Sequence, residues 1–209
     1  MEKVWILGGL RSFIGVKDRM YRNVPAEVLG AEVLRAVIEK YQLAEPDIDF
    51  IIGGNAVGGG GNMTRLAALT AGIDQQVPAV TLDLQCGSAL EAVTQAAAKI
   101  ESSLADLVLA GGMESSSTQP LRMWNPNHPN YEKDKVWTVA QFVPGQQGEQ
   151  VMLEGAERTA ISEQVKKEEQ DFWVLESHHR AAKAAQEGIL SDIQVSVAGS
   201  RKDEGIRPS

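Results

Sequence analysis

The chain has 209 residues, 43% hydrophobic and 23% charged, enough for one large domain, or one domain with an appendage, that buries its core without staples. Twenty basic against 28 acidic residues leave a net charge of −8, which argues against a general nucleic-acid surface, and a single cysteine excludes a disulfide framework or a CxxC pair within the chain. No apolar run approaches the roughly 20 residues that span a bilayer, and the stretch from Met1 to Gly9 has neither the apolar length nor the cleavage pattern of a signal peptide; the expectation is a cytoplasmic protein with no membrane partner.

In chain order, Val4–Leu7 is a short apolar run closed by Gly8 and Gly9, and it predicts a buried strand. From Pro25 to Tyr41 the residues Leu29, Val33, Leu34, Val37, Ile38 and Tyr41 recur on one helical face, with Asn23 and Pro25 where a start signal belongs. Phe50–Ile52 predicts a second strand, cut off by Gly53 and Gly54. The glycine-rich stretch 53–61 leads into a short helix near Thr64–Ala71. Ala79–Leu84, entered at Pro78, predicts a third strand. A helix over Gly87–Ile100 follows, with a buried stripe of Leu90, Val93, Ala97 and Ile100. Leu107–Ala110 is a fourth strand, ended by Gly111 and Gly112. Near-continuous apolar strands alternating with helices imply a parallel sheet covered on both faces, an α/β fold.

Beyond Ser115 the texture changes. The stretch 118–148 holds Pro120, Pro126, Pro129 and Pro144 with little periodicity, and loops of that length are seldom idle. Helices are expected at about Gln147–Ala160 and Lys166–Gly188, then a polar tail over Ser200–Ser209. The domain reading is therefore a sheet domain over 1–117 and an excursion over 118–209.

The run Gly58–Gly61 invites comparison with a phosphate cradle. The sequence contains neither GxGxxG nor GxxxxGK[ST], so a flexible turn is preferred and nucleotide binding is set aside. Cys86 is the chemical candidate. A lone cysteine is ordinarily a small buried hydrophobe, but this one lies in Leu82-Asp83-Leu84-Gln85-Cys86-Gly87-Ser88-Ala89-Leu90, where a strand passes into a helix. Unpaired amides and the helix dipole at such a point favour an anionic sulfur. Gly87 is expected to allow the sharp turn, and the Cys86 amide to help hold an oxyanion. The histidines His128, His178 and His179 define no triad with it, and no spacing fits a metal site. The chemistry is incomplete within these residues.

Several stretches, in order, resemble one family. Arg11-Ser12-Phe13-Ile14-Gly15 is similar to Arg-Thr-Pro-Ile-Gly. Gly61-Asn62-Met63-Thr64-Arg65 is similar to Gly-Gln-Asn-Pro-Ala-Arg. Gln85-Cys86-Gly87-Ser88-Ala89-Leu90 resembles a nucleophile motif, and Gly111-Gly112-Met113-Glu114-Ser115 matches Gly-Gly-Met-Glu-Ser. Met152 to Glu157 and the region of Ser177-His178 resemble loop-domain helices, and Asp203-Glu204 with Arg207-Pro208 resembles Asp-Glu-x-x-Arg-Pro. The family is the thiolases, and the likeness is to their N-terminal half over nearly the whole chain.

That resemblance implies a thiolase-like layered fold. It also implies an acyltransferase in which Cys86 takes an acyl group from acyl-CoA for reversible Claisen condensation or thiolysis of a 3-ketoacyl-CoA, as in fatty acid metabolism. Coenzyme A and acyl-CoA would be substrates, with no tightly bound cofactor and no metal; the substrate-binding residues are not carried over. Partners would be a second copy, as homodimer or tetramer, or a complementing C-terminal half. The family's Gly-His-Pro histidine, Cys-x-Gly-Gly cysteine and asparagine all belong to that half. Asp83 stands where the family has Asn, three residues before the nucleophile, and an ionised carboxylate there would oppose a thiolate. Phe13, Met63, Ala89, Leu153 and Gly155 also depart from the pattern. The alternative is an inactive thiolase-like module that binds acyl-CoA or another thiolase subunit; a redox-sensing thiol on an unrelated α/β domain fits the serial motifs poorly. With no strand to close the sheet, one edge and one apolar face are expected to stay open, so the purified chain should self-associate in light scattering. A monodisperse, cooperatively melting monomer would contradict that expectation.

Overall fold

A computed structural model of the chain describes residues 3–139, 141, 142, 144, 148 and 150–207. The described chain divides into two compact units, 1–119 with 190–205, and 120–189 with 206–209. The first unit holds β1 (Arg11–Ser12), α1 (Ala26–Lys40), β2 (Phe50–Gly54), α2 (Met63–Ala71), β3 (Ala79–Leu82), α3 (Ser88–Glu101), β4 (Val108–Gly112) and β5 (Gln194–Val195). The second holds α4 (Val151–Ser162) and α5 (Lys167–Gln186). The expected start of α4 at Gln147, and Pro208 and Ser209 of the last motif, lie outside the described residues.

Three strands form a parallel sheet in the order β3-β2-β4, with Ile52 opposite both Val80 and Ala110. Side chains alternate across a strand, and here both faces are apolar. Ile51 and Leu109 turn to a core with Ile48, Ala68, Ile73 and Val77, covered by Leu34, Val37 and Ile38 of α1. Ile52, with Phe50, Val80, Leu82 and Val108, faces Ala92 and Ala96 of α3. The double burial explains why these strands are apolar but for Thr81, whose hydroxyl donates to Asn62 Oδ1 and bonds Thr64 Oγ1.

Four expectations are corrected. Val4–Leu7 forms no strand: Trp5, Ile6 and Leu7 are 73%, 82% and 71% exposed, and no described strand pairs with them. The buried stripe of α3 is Ser88, Ala92 and Ala96, while Leu90 and Val93 face outward. The cause is distance: a β-carbon on Gly54 would stand 2.6 Å from that of Ser88, and one on Gly112 2.9 Å from that of Ala89. A helix seated so low on the strands presents small side chains, whatever its larger apolar ones would gain by burial. Gly53–Gly54 and Gly111–Gly112 are the last two residues of β2 and β4 rather than breaks beyond them; Gly54 and Gly112 meet α3, and a β-carbon on Gly53 would meet Thr64 of α2. Finally, residues 190–205 return to the first unit instead of continuing the excursion.

That return is held by polar bonds as well as by strand pairing. β5 lies parallel to β1, and the Arg11 guanidinium donates to both Asp203 oxygens at 2.8 and 2.7 Å. The Ile14 amide and Gln194 Nε2 also donate to Asp203. Glu204 accepts from the Val16 and Met20 amides, and its own amide donates to the Ile14 carbonyl. Beneath them Tyr21, Leu29 and Val197 form a small core. Two stretches 192 residues apart in sequence are thus one structural device.

In the second unit, Arg122 and Trp137 exchange two backbone hydrogen bonds. Trp124 stacks on His128 at 3.8 Å and tilts against Trp137. Helices α4 and α5 bury no residue, and Phe172, Trp173, Val174 and Leu175 of α5 are all exposed. Among the described residues no helix is long and apolar enough to cross a membrane.

The bonds from Arg11 hold the Asp203 carboxyl below its ordinary range, against the opposing effect of partial burial. A carboxylate with a lowered folded-state value adds stability that is complete above its unfolded value, near 3.9. That stability is lost as pH falls through the folded value. Asp203→Asn is expected to cost about 2 kcal/mol at neutral pH, and to lose less further stability on acidification than the parent. Urea unfolding at neutral pH and at about pH 3 measures this; equal acid sensitivity in parent and variant would contradict it.

Candidate active site

Open parallel sheets offer sites beyond the carboxyl ends of their strands, where loops to the covering helices diverge. Cys86 stands there, four residues past β3 and two before α3, and it is exposed. The segment between is a tight turn closed by five hydrogen bonds among residues 83–88. The Gly87 amide donates to the Leu84 carbonyl at 3.0 Å and the Ser88 amide to the Gln85 carbonyl at 3.1 Å. The Gln85 amide donates to Asp83 Oδ1 at 2.9 Å. Ser88 Oγ accepts from the Leu84 amide at 2.8 Å and donates to the Gln85 carbonyl at 2.6 Å.

The left-handed residue is Gln85, with φ +52°, where a non-glycine side chain costs about 1–2 kcal/mol. The sharp bend therefore falls on the residue before the cysteine. Gly87, expected to carry it, has φ −85° and caps the start of α3. Its lack of a side chain still helps, because a β-carbon there would stand 3.3 Å from the Leu84 carbonyl oxygen. Neither Cys86 Sγ nor the Cys86 amide bonds to any described residue.

Asp83 sits where electrostatics predicted a liability, and one of its oxygens is engaged in an Asx-type turn. An Asp or an Asn at this position can accept the Gln85 amide equally well.

Beside the turn, the ends of β2 and β4 are joined by a second polar knot. Asn55 Nδ2 donates to the Met113 carbonyl and to Glu114 Oε1, both at 2.9 Å. Glu114 Oε2 accepts from the Ala56 and Val57 amides, and Asn55 Oδ1 from the Gly58 amide. At the start of this glycine-rich loop the Ala56, Val57 and Gly58 amides are thus bonded to side-chain oxygens, two of them to a carboxylate. Sequence reasoning noted Glu114 only as part of a motif and gave Asn55 and Ser88 no role. The available signal was an Asn, Glu or Ser just past an apolar strand or at a helix start, where free amides need acceptors.

The other motif residues are structural. Asn62 caps α2 by accepting the Arg65 amide, and the Arg65 guanidinium donates to the Val77 and Gln75 carbonyls. The histidines all belong to the second unit. His128 Nδ1 accepts from the Asn130 amide, His178 Nδ1 accepts from the Arg207 amide, and His179 neighbours it on α5. A cavity of about 310 Å³ lies in the first unit among Gly9, Arg11, Gly30, Gly53 and Met113, and Cys86 does not line it. No group of three or more His, Cys, Asp or Glu among the described residues is placed to hold a metal ion.

Comparison with known proteins settles the family. The family described as Thiolase, N-terminal domain, matches residues 4–209. A Staphylococcus epidermidis protein provisionally named acetyl-CoA C-acetyltransferase VraB is 32% identical over 213 residues, covering 100% of this chain and 56% of its own length. A Staphylococcus aureus protein of the same name is also 32% identical, over 99% of this chain and 56% of its own. The crystal structure of the Bacillus anthracis acetyl-CoA acetyltransferase superposes with a TM-score of 0.84 at 27% identity, over 95% of this chain and 53% of that one. The chain belongs to the thiolase family and corresponds to its N-terminal portion. It spans just over half the length of the curated relatives it matches.

The Asx turn predicts a clear pair of results. Asp83→Asn should leave stability within about 0.5 kcal/mol of the parent, whereas Asp83→Ala, which removes the acceptor, should cost about 1 kcal/mol. Urea unfolding of both variants is the check. An Asn as costly as an Ala would show that the carboxylate charge, not the hydrogen bond, holds the turn.

Proposed function

We propose that the chain carries the acylation half of a thiolase-type acyltransferase, with Cys86 as the nucleophile. Cys86 Sγ adds to the thioester carbonyl of an acyl-CoA. The carbon–sulfur bond to coenzyme A then breaks, coenzyme A leaves as its thiol with the proton from Cys86, and the acyl group remains as a thioester on Cys86. In the condensing direction, the α-carbon of a second acyl-CoA gives up a proton to a base and displaces Cys86, which leaves as its thiol by taking up a proton, and a 3-ketoacyl-CoA is released. In the degradative direction Cys86 Sγ adds instead to the 3-keto carbon of a 3-ketoacyl-CoA. The bond between its α- and β-carbons breaks and the shorter acyl-CoA leaves with a proton on its α-carbon, and coenzyme A then takes the remaining acyl group from Cys86.

The observation that carries this reading is the exposed Cys86 at the mouth of α3, beyond the carboxyl end of β3. Amides and dipole at a helix start favour negative charge. The Cys86 amide, which donates to no described residue, is free to meet the oxyanion that forms on the attacked carbonyl. Membership of the family and relatives named for acetyl-CoA acetyl transfer support the substrate class. The base for the second step comes, in this reading, from a complementing C-terminal half, since His128 and His178 are engaged locally. Assembly as dimer or tetramer and a cytoplasmic location belong to the same proposal.

The alternative, an inactive module that binds acyl-CoA or another thiolase subunit, rests on the same family likeness and makes no acyl-enzyme. The chain, alone and mixed with the polypeptide encoded directly downstream, is incubated with acetyl-CoA, quenched and mapped by peptide mass spectrometry. An acetyl group is expected on the peptide containing Cys86 and absent in Cys86→Ser. No adduct in either mixture would defeat the catalytic reading and favour the inactive module.

A further inference from the structure

We propose that Ser88 is a positioning residue for Cys86: its buried hydroxyl holds Gln85 in the left-handed conformation and so fixes where the next residue, Cys86, leaves the turn. The inference rests on the reading of Cys86 as nucleophile and adds a residue that acts through the backbone.

Ser88 is 5% exposed although it opens a helix. A serine that merely caps a helix accepts amides ahead of it, within the first turn. This one bonds backwards. Its Oγ accepts from the Leu84 amide and donates to the Gln85 carbonyl, and those two residues are the last before Cys86. A single hydroxyl thus bonds the peptide units on either side of the one that joins Leu84 to Gln85.

The conformation held there is one that a glutamine disfavours. With φ +52°, Gln85 is in the region that glycine enters freely and L side chains seldom do. Gln85 itself is exposed, so packing of its side chain does not impose the bend. Among the described residues, the only other side chain bonded to this residue's backbone is Asp83, through the Gln85 amide. Ser88, by contrast, is tied to the sheet: a β-carbon on Gly54 would stand 2.6 Å from Ser88 Cβ and 2.7 Å from the Ala89 amide nitrogen. Ser88 cannot shift toward β2. The sheet therefore locates Ser88, Ser88 sets Gln85, and Gln85 aims Cys86.

The test is the rate of Cys86 alkylation by iodoacetamide at one fixed pH, with thermal melting as the folding control. Ser88→Ala should slow alkylation about tenfold, the population penalty of an unsupported left-handed non-glycine residue. Adding Gln85→Gly should restore the rate to within about twofold, because glycine takes that conformation without help. A serine needed only for packing would not be rescued by a glycine three residues away. If Ser88→Ala fails to fold, Gln85→Val decides: it alters an exposed side chain, leaves Ser88 in place, and should slow alkylation because a β-branched residue resists positive φ. An unchanged rate in Ser88→Ala, a loss that Gln85→Gly leaves in place, or an unchanged rate in a Gln85→Val protein when Ser88→Ala is unfolded would overturn the proposal. Absence of an acetyl adduct on the parent would instead defeat the catalytic reading, while the alkylation rates would still judge the turn.

Discussion

The seating of α3 on the glycine ends of β2 and β4 governs most of what the first unit does. A β-carbon at Gly54 or Gly112 would push into Ser88 or Ala89, and pushing the helix away would carry the whole turn from Asp83 to Ser88 with it. Because the helix sits this close, its inner face must be Ser88, Ala92 and Ala96, and its first buried residue can be a polar one whose hydroxyl reaches the turn. The arrangement trades buried apolar area for position. Leu84 and Leu90, on either side of the cysteine, remain 59% and 73% exposed.

The same reasoning shows which parts of the fold were legible in the sequence. Strands β2, β3 and β4 announced themselves as apolar runs because both faces of the sheet are covered, and α1 through its period. Both signals rest on amounts of apolar surface, which a sequence displays. The stripe of α3 was misread because size, not hydrophobicity, decides which residues fit against a close-packed strand, and the closeness is set by glycines 34 and 24 positions away from Ser88. Those glycines looked like strand breakers for the same reason. Val4–Leu7 has the composition of a strand, but pairing requires a neighbour, and none of the described strands supplies one. The β1–β5 pair, two residues each, is too short for any periodic signal; it depends on the ion pair between Arg11 and Asp203.

At the candidate site, the place of Cys86 between an apolar strand and a helix is legible from local pattern alone. The residues that hold it could not. Asp83, Gln85 and Ser88 act through backbone bonds whose partners depend on the turn's conformation, and a left-handed glutamine leaves no trace in composition. Asn55 and Glu114 are brought together from two strands that are neighbours only in the folded sheet. Motif likeness marked several of these positions, and the structure gives the matched residues distinct mechanical parts. Arg11 and Asp203 close the fold on itself, Arg65 ties down the loop before β3, and Glu114 fastens the glycine-rich loop. A motif match thus reports where a family's framework is kept as well as where its chemistry lies.

The proposed activity rests on one event, transfer of an acyl group from a coenzyme A thioester to Cys86. The most direct measurement is the amount of free coenzyme A set loose in the first turnover, determined chromatographically after rapid quenching of the chain in excess acetyl-CoA. The account predicts a burst of one equivalent per chain that vanishes when the thiol is blocked beforehand. Coenzyme A release without a burst, or an identical burst from the blocked protein, would contradict it.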